Sequence, residues 1–207
     1  MTNAEAVKDL DYVRTLAEEG RHAPLLSGPQ LIGWGVLVAA AWAGHGYIIN
    51  TLPPSGQWGI LLGSLWGGFG VLGGLMSAVL GRWTRSRPGA AAASNRAERA
   101  IWSGASLVLT VFALGMIGHM AVTGDTDAPN AISAAAFGVY GGAMLASSLF
   151  SGEKLLRPFA ILAAGFGLVI AIFADAPWAY YAAAVGALLT LALPGLLLVR
   201  REPATTV

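Results

Sequence analysis

The sequence predicts an all-α, polytopic integral membrane protein: six transmembrane helices arranged as three helical hairpins, preceded by an amphipathic helix on the cytoplasmic face. Three observations carry that expectation. Apolar residues make up 56% of the chain and charged residues only 11%, under half the share usual in a soluble domain. Six runs, each of roughly the 17–25 residues that cross a hydrocarbon core, contain no Asp, Glu, Lys or Arg apart from Arg157 at the start of the fifth. All twelve Lys and Arg residues fall on one side of those runs, in the terminal segments, in alternate connections or, for Arg157, in the first turn of the fifth run. A very apolar soluble α-domain would need a charged face on each surface helix, and these runs have none.

Residues 1–30 read as the amphipathic helix and its connector. Over residues 3–19, NAEAVKDLDYVRTLAEE, Asn3 offers a start, Val7, Leu10, Val13, Leu16 and Ala17 an apolar side, and Gly20 a stop. Up to Arg21 the segment carries five acids against three bases, so it is no polybasic lipid anchor. It either packs beneath the protein's own bundle or docks a cytoplasmic protein partner. Nor is it a signal peptide, because the first apolar run begins only near residue 31.

The membrane domain, residues 31–199, comprises spans at 31–49, 58–80, 101–122, 131–150, 156–174 and 178–199, and residues 200–207 form a tail. Basic residues lie before the first span, then at Arg82, Arg85, Arg87, Arg96 and Arg99, at Lys154 and Arg157, and at Arg200 and Arg201. The opposite connections hold TLPPSGQ, then Asp125 and Asp127, then Asp175. The positive-inside rule therefore places both termini in the cytoplasm, in a cell's inner (plasma) membrane. The basic connection RWTRSRPGAAAASNRAERA reads as a flexible loop whose simplest role is fixing topology. Trp58, Trp178 and Tyr181 near one set of span ends, and Trp34, Trp83 and Trp102 near the other, match interfacial belts; Trp42 and Trp66 lie deeper and read as packing residues.

Two phrases recur. FGVLGGLM at 69–76 returns as FGVYGGAM at 137–144, and DAPNAISAAAFG from Asp127 returns as DAPWAYYAAAVG from Asp175. Asp followed by Ala-Pro suits a helix start, since the carboxylate caps free N–H groups and proline lacks only a donor that has no partner there. Chained, the echoes suggest parallel hairpin repeats; compositional resemblance among Gly/Ala-rich spans is the competing account. The pairs Gly63 and Gly67, Gly70 and Gly74, and Gly138 and Gly142 have the small-xxx-small spacing that lets helix backbones approach. Packing within the bundle is the preferred reading of these glycines, with oligomerisation left open. Pro194, inside the sixth span, should kink it or free a carbonyl.

Little in the chain points to chemistry. The absence of cysteine removes disulfides, thiolate metal sites and cysteine nucleophiles. A net charge of +1 offers no bulk attraction for nucleic acid, and no phosphate-binding, serine-hydrolase or zinc-protease motif is present. His45 in WAGHGYI and His119 in MIGHMAV are the candidate site residues. Each follows a glycine toward the same end of an odd-numbered span, and a histidine within a span is costly to bury unpaired. As neutral imidazoles they could hold haem b or a metal ion; a structural hydrogen bond is the plainer role. The leading expectation is a non-enzymatic sensor, scaffold or regulatory component of the bilayer. A small passive permease or channel, and a haem- or metal-binding redox protein using His45 and His119, are the alternatives.

Overall fold

The computed structural model describes residues 25–53, 57–127 and 130–202. The amphipathic helix expected over residues 3–19 and the tail residues 203–207 lie outside them. Among the described residues the chain is all-helical: α1 (Gly28–Thr51), α2 (Gln57–Arg85), α3 (Ala93–Thr123), α4 (Ala131–Ser151), α5 (Leu156–Ile172) and α6 (Ala179–Arg201). All but α5 are long and apolar enough to cross a membrane, and the chain is a multi-pass membrane protein. The 17 residues of α5 rise about 26 Å at 1.5 Å each, slightly less than a hydrocarbon core of about 30 Å.

The helix boundaries follow local chemistry. Pro29 stands in the first turn of α1, where a missing N–H costs nothing. Gly124 and Gly152 end α3 and α4 with φ of 75° and 77°, the left-handed cap that glycine adopts without Cβ strain. Each Asp-Ala-Pro phrase stands just before a helix, α4 or α6. Neither N-cap residue, Asn130 of α4 nor Trp178 of α6, makes a side-chain cap bond. Backbone turns close these starts instead, Asn130 N–H donating to the Asp127 carbonyl and Ala179 N–H to that of Ala176, both at 2.9 Å. The basic connection is also shorter than its composition suggests. Its Ala-rich second half, a good helix former, continues α3 back to Ala93, which leaves only residues 86–92 between α2 and α3.

Helices α1 and α6, from opposite ends of the chain, form the most extensive pair. Glycine permits this contact. A Cβ on Gly28 would stand 2.9 Å from the Gly195 carbonyl oxygen, one on Gly195 2.7 Å from that of Gly28, and one on Gly35 would fall on the Ala192 amide nitrogen. Pro194 shapes α6 at the same level. It has no N–H for the carbonyl four residues back, and the helix widens into a π-turn over Leu188–Ala192, with Leu193 N–H reaching the Leu188 carbonyl. Next come α4 on α5 and α3 on α4, then α2 on α1, with a smaller contact of α5 on α6. The core lies where α1, α4, α5 and α6 meet, around Trp42, Phe137, Met144, Ala163, Ile170 and Leu191. By contrast α2 buries only Gly73, and α3 buries only Ser94, Asn95 and Glu98 at its start.

The repeated phrase uses one face in both copies. Phe69 packs on Trp34 and Trp66, Gly73 lies under the Trp34 ring, and Met76 reaches Gly33. In the second copy Phe137 and Met144 are fully buried, and a Cβ on Gly141 would sit 2.9 Å from the Ala160 carbonyl oxygen. Positions one, five and eight form a single helical stripe. The expected contacts of Gly70, Gly74, Gly138 and Gly142 fall off that stripe: a Cβ at any of them, or at Gly63 or Gly67, meets no described atom within 4 Å. Bundle packing within the chain therefore runs through Gly73 and Gly141, one position away in the helical register.

Candidate functional site

Two polar clusters stand out, one at each end of the bundle. At the end carrying Asp125, Asp127 and Asp175, His45 on α1 sits among aromatic rings. The Trp66 indole N–H donates to His45 Nδ1 at 3.0 Å, so that nitrogen carries no proton and the neutral ring holds its hydrogen on Nε2. The imidazole stacks on Tyr180, with centroids 4.6 Å apart, and Trp42 stands 5.6 Å away. The Tyr180 hydroxyl in turn donates to Asn130 Oδ1 at 3.0 Å, and the Asn50 amide to the Pro177 carbonyl at 2.9 Å. One chain of contacts thus ties α2, α1, α6 and the start of α4. Hydrogen bonds inside a membrane bundle are worth about 0.6 kcal/mol on average, and ring pairs about 0.5–1.5 kcal/mol beyond area burial. The arrangement locks four helices in register.

His119 occupies a different setting. It lies on α3, half exposed, with Nε2 3.9 Å from Asp125 Oδ2, and α3 does not pack appreciably on α1. The two histidines share no partner: His45 keeps company with Trp42, Trp66 and Tyr180, His119 with Asp125. Equivalent register along the chain did not become proximity, because α3 is placed by α4 while α1 is placed by α6 and α2. Among the described residues no group of three or more His, Asp or Glu converges as a metal cage.

The second cluster lies at the basic end and was not anticipated. Leu26 N–H donates to Asn95 Oδ1 at 3.0 Å, and the Asn95 amide donates to the Gly89 carbonyl at 3.1 Å. One turn on, the Ser27 hydroxyl donates to Glu98 Oε1 at 2.6 Å. Arg99 donates to the Ala90 carbonyl at 2.9 Å, and Arg87 pairs with Glu202 at 2.7 Å. Residues 86–92 are thereby fastened to α3 and to the end of α6, and the start of α3 to the start of α1. Glu98 is only 3% exposed. It precedes the apolar stretch of α3, none of which is buried. Burial pushes its carboxyl up to about 7, against the smaller pull of the Ser27 hydroxyl and the Arg99 charge. The signal in the sequence was Glu98 itself, the one acid in a connection of five arginines; the partners, some 70 residues away, were not readable.

Compared with family models, curated proteins and solved structures, the chain matches none.

Proposed function

We propose that this chain is a non-enzymatic assembly component of the inner membrane, a scaffold or regulatory subunit with six crossings and both termini in the cytoplasm. It presents α2 and α3 to the transmembrane helices of a partner. One observation carries the reading. Among the described residues α2 buries a single residue and the apolar stretch of α3 none, while Gly63, Gly67, Gly70 and Gly74 of α2 face open space. Small residues concentrate where helices meet in lipid, because close backbone approach and van der Waals contact replace the hydrophobic effect as the source of association. The buried polar groups favour a structural role as well: the contacts of Ser27, Glu98, His45, Trp66 and Tyr180 are spent on joining helices. One-sided Lys and Arg support the orientation.

A photo-crosslinking amino acid at Val71 or Val111, in native membranes, should yield discrete protein adducts. The same probe at Ile161 or Leu168, exposed residues of the well-packed α5, should yield lipid adducts. Lipid adducts alone from all four positions would end the assembly reading. Orientation is checked separately in this cysteine-free chain: a cysteine at Ala91 should label only from inside, and one at Thr126 only from outside.

A further inference from the structure

Glu98 is a buried carboxyl whose polar environment is sparse. Its hydrogen-bond partner is the Ser27 hydroxyl at 2.6 Å, and among the described residues it forms no ion pair. Among the described residues the elements around it carry little charge toward it. Leu25, Leu26 and Ser27 bring none, and the Tyr140 phenol is the one titratable side chain of α4. In residues 86–92 Arg87 is engaged with Glu202, and Arg201 at the end of α6 with Glu153. Arg82 and Arg85 close α2 and are exposed. Arg99, next in sequence, is the charged group that acts on it, and its guanidinium is held by the Ala90 carbonyl. A neutral carboxyl suits this site. One hydroxyl does not repay the desolvation of a carboxylate, and among the described residues no cation lies within ion-pair distance of it.

The mechanical setting makes that preference consequential. The start of α3 meets the start of α1 through Asn95 and Glu98, and beyond them the buried surface of α3 stops. We propose that Glu98 is a proton-operated latch: protonated, it holds the basic end of α3 against the start of α1, and on ionising it lets that end move away. The latch stands on these contacts alone, whichever compartment the basic end faces and whether or not α2 and α3 take a partner.

The test uses the full-length protein in nanodiscs, with spin labels on Arg96→Cys and Arg200→Cys, both exposed positions in a chain without other cysteines. Pulsed electron paramagnetic resonance should show one distance at pH 6 and a second, longer one at pH 8. The share of the longer distance should rise about tenfold between them, as the ionised fraction does for a group titrating near 7. Glu98→Gln, which keeps a neutral acceptor for Ser27, should hold the pH 6 distance throughout. Ser27→Ala removes a donor that favours the ionised form and should move the midpoint to higher pH. A distribution unchanged from pH 6 to 8.5, or a transition that survives in Glu98→Gln, overturns the latch. Should Glu98→Gln fail to fold, an unmoved midpoint in Ser27→Ala overturns it equally.

Discussion

Helices α1 and α2 are neighbours, both rich in glycine, and they use it in opposite ways. Every glycine of α1 lies against something: Gly28 and Gly35 against α6, Gly33 and Gly44 against Met76 and Leu65 of α2, Gly46 against Tyr180. On α2, among the described residues, only Gly73 makes a close contact with another helix, while Gly59, Gly63, Gly67, Gly68, Gly70 and Gly74 face open space. The comparison teaches that glycine content alone does not report packing. What matters is whether the glycine falls on the stripe facing a neighbour, and whether that neighbour offers backbone or a yielding side chain. Against Gly35 stands the Ala192 backbone of α6, which cannot move without disturbing the π-turn. Against Gly33 stands the flexible end of Met76.

A graded leucine series would sharpen or break this contrast. Gly35→Leu should be the most damaging, costing about 3 kcal/mol or more, because overpacking against backbone leaves no cheap relaxation. Gly73→Leu, against the Trp34 ring, should cost about 1–3 kcal/mol. Gly74→Leu, one residue along, should stay within about 0.5 kcal/mol of wild type, as a change on an uncrowded surface does. Thermal melts of the purified variants read the order directly. Equal damage at Gly73 and Gly74 would mean that α2 is rotated from the position described, and a harmless Gly35→Leu would undo the α1–α6 contact.

The histidines test the same distinction more gently. His45→Ala strips Trp66 of its acceptor and Tyr180 of its stacked ring, and should lower stability by about 1–2 kcal/mol. His119→Ala, half exposed and facing only Asp125, should change it by less than about 0.5 kcal/mol. The double variant should show the sum, since separate sites with no shared partner add. A coupled loss, with either substitution abolishing the effect of the other, would reinstate a shared ligand between them.

Several features were legible in the residues because they depend on composition and local chemistry. An uncharged run of the right length must satisfy its backbone as a helix in lipid, so the helices, the start of α3 apart, arrive within about five residues of their expected limits, and Pro194 announces the distortion it produces. Trp42 and Trp66 read correctly as packing residues, and they meet at 4.9 Å. The start of α3 was misread because Ser94, Asn95, Arg96 and Glu98 interrupt the apolar signal that marks a span, although helix formation itself asks only for propensity and a place to satisfy the backbone.

Rotation, neighbour and burial belonged to the tertiary structure. The phrase FGVLGGLM specifies two small-residue faces, one through Gly70 and Gly74 and one through Gly73, and its letters alone do not choose between them. Trp34 on α1 and Ala160 on α5 make the choice by standing opposite Gly73 and Gly141. Likewise the sequence by itself placed His45 and His119 in matching registers, but which helices become neighbours is decided by the close α1–α6 contact, some 160 residues apart in the chain. The same long-range closure covers Glu98 with Ser27, turning an acid in a basic connection into a buried carboxyl. Local chemistry determines that a segment is a helix and where it stops; only the packing of distant segments determines which of its faces is dry, and a carboxyl's proton affinity depends on that.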